Sequence, residues 1–87
     1  CAVSATGTGD EIIRIVMAHD IAARMKYLGE NNETAFAYAL EQLKSFNGDG
    51  GLIAVTQEGK IHMPFISRGM FRGSRSAADT ENFAAIF

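Results

Sequence analysis

A single cysteine leaves no disulfide framework to staple the chain. Proline occurs once and tryptophan not at all, and there is no proline-rich linker, low-complexity tract or internal repeat. No apolar run reaches the roughly 18–20 residues of a membrane-spanning helix. No sign of charge dominates either: the net charge is -2 and the isoelectric point about 5.6. A nucleic-acid binder is expected to carry a basic stripe. The nearest approach is Arg68, Arg72 and Arg75, which read as a solvated face. No His/Cys/carboxylate spacing suggests zinc, and neither a metal nor a cofactor is expected. The opening residues, Cys-Ala-Val-Ser-Ala, lack the basic start and long apolar core of a signal peptide. With no initiator methionine, a cut or processed start is expected.

What remains is globular. Hydrophobic residues make up 47% and charged residues 21% of 87. A lone chain of this length buries only roughly 60–65% of its unfolded surface, so one well-packed domain or a piece of something larger is implied. Cys1–Ala5 suits a short buried strand, followed by the glycine loop Thr6-Gly7-Thr8-Gly9. Asp10 and Glu11 favour a helix start, and Ile12 to Leu28 read as one helix ended by Gly29. Its stripe is Ile12, Ile15, Val16, His19 and Ala22 with Ala23, which makes His19 a core residue; Ile13, Met17, Ile21 and Met25 broaden the stripe. Asn31 or Asn32 can cap a second helix with Phe36, Leu40 and Leu43 on its apolar face. Leu52–Val55 is a strand, Gln57-Glu58-Gly59 a turn, and Ile61, Met63 and Phe65 alternate along a returning strand with His62 on the solvent side. Pro64 belongs at an edge or strand end. Residues 67–81 read as polar loop and Asn82–Phe87 as a short closing strand. Two helices with antiparallel strands give an α+β fold.

Chemistry concentrates in the strand–Thr-Gly-Thr-Gly–helix element. Glycines allow close approach of a ligand to the backbone, and the helix start adds free amides. A dinucleotide fingerprint needs a third glycine where Ile12 stands, and no Gly-Lys-Ser/Thr phosphate loop is present. Asp10 and Glu11 disfavour a dianionic phosphate, so a transient oxyanion fits better. The alternative is a glycine turn that simply lets helix and strand pack closely.

Cys1–Arg14 (Cys-Ala-Val-Ser-Ala-Thr-Gly-Thr-Gly-Asp-Glu-Ile-Ile-Arg) resembles plant-type L-asparaginases/isoaspartyl peptidases. So do the Gly-Gly-Leu-Ile-Ala-Val, Met-Pro-Phe and Gly-Met-Phe-Arg-Gly runs between Gly50 and Gly73, and the helical Asp20–Met25. The resemblance spans nearly the whole chain and implies the C-terminal part of the β-subunit of an N-terminal-nucleophile hydrolase, a four-layer αββα sandwich. It further implies an autoproteolysed precursor, an (αβ)2 assembly with the α-subunit and upstream β-subunit, a cytoplasmic location, and L-asparagine or β-aspartyl dipeptides as substrates. The nucleophile is an N-terminal threonine whose own amine is the general base. By motif position Thr6 and Gly7 would form the oxyanion hole, Gly9 would offer its carbonyl to the substrate's α-ammonium, and Thr8 and Asp10 would line the pocket. The threonine, in its Thr-Val-Gly context, and the family's substrate-gripping arginine and aspartate are not among these residues, so this chain alone is expected to be inactive. Ile66-Ser67 and Arg68 stand where relatives usually carry Asn-Thr and Glu or Thr. Cys1 falls in a strand, as a small hydrophobe rather than a nucleophile. Glycosylasparaginase, with a related loop, is the enzymatic alternative; a non-catalytic remnant or subunit-interaction module is the other.

Overall fold

In the computed structural model, which describes Cys1–Phe87, three helices cover one face of a three-stranded antiparallel sheet. The elements are β1 (Ala2–Gly7), α1 (Gly9–Arg14), α2 (Met17–Tyr27), α3 (Asn32–Ser45), β2 (Gly50–Val55), β3 (Ile61–His62), β4 (Arg72–Ser74) and β5 (Phe83–Ala85). The sheet order is β1-β2-β3, and β4 and β5 form a separate antiparallel pair. The α+β expectation holds. No helix is long and apolar enough to cross a membrane.

Alternation along β1 and β2 decides where the core sits. Val3 and Ala5 on β1, with Leu52 and Ala54 on β2, turn toward the helices. They meet Met17 and Ile21 from α2, and Ala35, Phe36, Ala39, Leu40 and Leu43 from α3. α3 follows its sequence signals: the Asn31 side chain accepts from the Thr34 amide at 2.8 Å, satisfying one orphan donor of the first turn. The opposite sheet face stays open, with Ile53 49%, Val55 46% and Ile61 37% exposed.

The expected single helix from Ile12 to Leu28 is two. At about 100° per residue, Ile12 and Ile15 lie on nearly the opposite side of a straight helix from Met17 and Ile21. All four pack on the same core. The chain reconciles them by breaking at Val16, which adopts φ 50°, ψ 50°. The break turns Val16 and His19 out to solvent, so neither is a core residue here.

His62 also differs from the expectation. It is the register partner of core-facing Ala54, so its ring points inward, 5.2 Å from that of Phe36. Ile61 consequently faces out. Pro64 follows β3 on the edge side of the sheet, and its carbonyl accepts from the Leu52 amide at 2.9 Å. β4 lies within the stretch expected to be loop and pairs with β5 through three residues. Arg24 ties α2 to its surroundings, pairing with Asp20 at 3.1 Å and Glu30 at 3.2 Å over the Tyr38 ring. Burial works against its charge, but the bonds to Asp20 and Glu30 outweigh it and hold its pKa above the ordinary guanidinium value.

Candidate functional site

The glycine loop is not a loop at its start. β1 runs on through Thr6 and Gly7, which pair with Gly51 and Gly50. The Thr8 amide then donates to the Asp49 carbonyl at 2.8 Å, and the Asp49 amide donates to Thr8 Oγ1 at 3.0 Å. Hydrogen-bonded and non-hydrogen-bonded pairs alternate along an antiparallel ladder. With Thr8 and Asp49 bonded, Gly7 and Gly50 form a non-bonded pair, and the Gly7 amide turns to the open edge of β1. Gly50 fits this register: its carbonyl accepts from the Ile66 amide at 2.8 Å and its amide donates to Asp49 Oδ1 at 3.0 Å, both away from β1.

Backbone geometry at this pair requires glycine on both strands. Gly7 has φ 132° and Gly50 φ 142°, outside the range that side-chain-bearing residues adopt readily. A Cβ on Gly7 would sit 1.9 Å from the Asp49 carbonyl oxygen, and one on Gly50 would sit 2.0 Å from that of Thr6. The two strands therefore approach more closely than any other residue permits.

Beside this crossing lies an open groove of about 480 Å³. Thr6, Gly7 and Thr8 form one wall and Asp49 with Gly50 adjoin it, while Ser67, Gly69, Met70 and Phe71 complete the lining. The Thr6 hydroxyl enters no hydrogen bond within the chain, so it and the Gly7 amide are both uncommitted donors. The Thr8 hydroxyl accepts from Asp49 and keeps its proton for a further partner. Ser67 is tied back by donating to the Gly69 carbonyl at 2.9 Å. Gly9 and Asp10 open α1 and are exposed, outside the groove lining. The structure thus brings Thr6, Gly7 and Thr8 together and leaves Gly9 and Asp10 apart from them.

Asp49 is not among the residues singled out from sequence, and the Ser67–Phe71 segment is marked there only by the Gly-Met-Phe-Arg-Gly run and the departures at Ser67 and Arg68. The signal that could have found Asp49 is the antiparallel pairing of two glycine-containing strands, since matching Gly7 to Gly50 sets Asp49 opposite Thr8. No group of three or more His, Cys, Asp or Glu side chains is placed to hold a metal ion.

The sequence model of the asparaginase family matches residues 1–85. The chain is 48% identical over 80 residues to the isoaspartyl peptidase of Salmonella typhimurium, an alignment covering 91% of this chain and 26% of that protein. It is 45% identical over 80 residues to the isoaspartyl peptidase of Escherichia coli, covering 91% of this chain and 25% of the relative. A protein of Arabidopsis thaliana named "Probable isoaspartyl peptidase/L-asparaginase 2" is 44% identical over 73 residues, covering 84% of this chain and 22% of its own length. The chain spans about a quarter of the length of the curated relatives it matches. With that match running through the glycine crossing and the groove beside it, this chain belongs to the asparaginase family that includes the isoaspartyl peptidases.

Proposed function

We propose that the protein carrying this segment hydrolyses L-asparagine and β-aspartyl peptides, and that the segment supplies the oxyanion hole. The observation that carries the reading is the pair of uncommitted donors on one groove wall: the Thr6 hydroxyl, and the Gly7 amide turned out of the ladder. In the proposed reaction an N-terminal threonine from the upstream part of the chain gives its hydroxyl proton to its own α-amine and attacks the side-chain carbonyl of the aspartyl unit. The carbonyl oxygen becomes negative in the tetrahedral intermediate, and Thr6 and Gly7 donate to it. The intermediate collapses, the amine leaves with a proton, and water releases aspartate from the acyl-threonine. Gly9 offers its carbonyl to the substrate's α-ammonium, with Thr8 and Asp10 as neighbours.

This reading gives the open sheet face an occupant. Ile53, Val55 and Ile61 form an apolar surface, which we assign to a second sheet of the same protein in an αββα sandwich. Autoproteolysis and an (αβ)2 assembly belong to the same proposal, and the isolated segment is inactive under it. The isoaspartyl peptidase names of the relatives favour β-aspartyl peptides over N-glycosylated asparagine.

The test is Thr6→Val in the full-length, processed protein. It removes one donor and keeps the volume, and kcat for β-aspartyl-leucine should fall about 10²–10³-fold while the protein stays folded. An unchanged kcat removes Thr6 from the reaction. Faster cleavage of GlcNAc-asparagine than of β-aspartyl-leucine would move the protein to the glycosylasparaginase type.

A further inference from the structure

We propose that Asp49 selects the leaving group, favouring β-aspartyl peptides whose second residue is lysine or arginine. The inference rests on the hydrolase reading above and names a substrate class for the same site.

Among the nine residues lining the groove, Asp49 is the one that carries a charge. No cation of the chain neutralises it: the salt bridges involve Arg14 and Arg24 with other carboxylates. Arg72, on the neighbouring segment, donates to the Met70 carbonyl at 3.2 Å and the Phe87 carbonyl at 3.1 Å. Arg68 is exposed and does not line the groove.

The Asp49 carboxylate is also held in place. The residue's amide and carbonyl are both bonded to Thr8, and its Oδ1 accepts from the Gly50 amide at 3.0 Å. Its Oδ2 has no partner within the chain. The residue borders the same groove as Thr6 and Gly7.

Position on the groove sets which end of the substrate Asp49 meets. The scissile bond and the developing oxyanion share one carbon. The α-ammonium end is assigned to Gly9, which lies outside the groove lining. The groove wall beyond Thr6 and Gly7 therefore receives the leaving residue. The 84%-exposed Phe71 offers apolar surface for an aliphatic stem, and Asp49 a charge for its cationic end.

The experiment compares kcat/KM for β-aspartyl-lysine and β-aspartyl-glutamate in the full-length, processed protein. Both peptides carry the same leaving-residue α-carboxylate, which cancels in the ratio, as does any common loss in a variant. A half-exposed carboxylate attracting one side chain and repelling the other should give a lysine preference of about tenfold at low salt. Asp49→Asn keeps the Oδ1 acceptor for Gly50, removes the charge, and should bring the ratio to about threefold or less. Raising salt to about 0.5 M should compress the wild-type ratio without any substitution. Hydrolysis of both peptides with a ratio near one, or a ratio that Asp49→Asn and salt leave unchanged, overturns the role of Asp49 and leaves the hydrolase reading standing. If correctly processed protein cleaves neither peptide, the hydrolase reading fails and this inference with it.

Discussion

Replacing Gly7 by alanine tests the close crossing of β1 and β2. A Cβ there would lie 1.9 Å from the Asp49 carbonyl oxygen, where ordinary contact begins at 3.4 Å, so the strands must separate by about 1.5 Å. The atom it meets is backbone, which cannot swing away like the end of a side chain. Separation pulls on two bonds, Thr8 N–H to Asp49 O at 2.8 Å and Asp49 N–H to Thr8 Oγ1 at 3.0 Å, each contributing about 0.5–1.5 kcal/mol. Holding a residue with a side chain at φ 132° costs about 1–3 kcal/mol more. The sum is about 2–6 kcal/mol, a large share of the stability of an ordinary domain. Urea denaturation of full-length Gly7→Ala should show it as a fall in midpoint at unchanged slope. Gly9→Ala is the control: a Cβ there meets nothing within 4 Å, φ is not positive, and stability should hold or rise by about 0.5 kcal/mol. Equal midpoints for Gly7→Ala and wild type would refute the crossing as described.

Leu43→Ala, at a fully buried α3 position, should cost about 2–5 kcal/mol in denaturant unfolding, with the spread set by how far the cavity collapses. Val16→Asn should raise stability by about 0.5–1 kcal/mol, because asparagine tolerates the left-handed conformation that a branched side chain resists; a loss measured by the same assay would count against the helix break. Gly51→Ala should destabilise by about 1–3 kcal/mol, since its Cβ would meet Phe65 Cβ at 2.5 Å and the Pro64 carbonyl oxygen at 2.7 Å. The new methyl would also meet Met70 Sδ at 2.8 Å, the end of a flexible side chain, so Met70→Ala should cost less in the Gly51→Ala background than in wild type if crowding is the cause.

Local patterns carried α3 and the turn into β3, because each depends on residues within one or two turns of chain. Asn31 caps α3 three residues ahead, and the apolar face of Phe36, Leu40 and Leu43 follows the helical period. The break at Val16 was hidden for the opposite reason. Apolar residues from Ile12 to Met25 are dense enough to look like one broad helix, and only the shared core shows that Ile12 and Met17 must face the same way. β4 escaped because Arg72, Gly73 and Ser74 pair through backbone alone, leaving no alternation to read. The alternation Ile61, Met63, Phe65 points His62 outward, whereas pairing with Ala54, a contact eight positions away, turns His62 in. In the candidate site, Thr6, Gly7 and Thr8 were legible as a glycine-containing segment. Asp49 was not, because its contact to Thr8 spans 41 positions and follows from strand register.

The register also shows which substitutions would separate the two readings of the Thr-Gly-Thr-Gly segment, which the sequence alone leaves open. A glycine at position 7 is required by the strand crossing whatever the protein does, so sensitivity to Gly7→Ala cannot by itself argue for catalysis. Thr6 is different. Its hydroxyl holds nothing within the chain, and removing it takes no bond from β1 or β2. A segment that served packing alone would leave Thr6→Val silent in both stability and rate. An oxyanion hole makes the same substitution silent in stability and severe in kcat, whereas Gly7→Ala lowers both together. The informative measurement is therefore the divergence of the two variants, neighbours in one strand: one separates rate from stability and the other joins them. Thr6→Val that leaves rate as well as stability unchanged, beside a destabilised Gly7→Ala, would return the segment to a turn that only lets helix and strand pack.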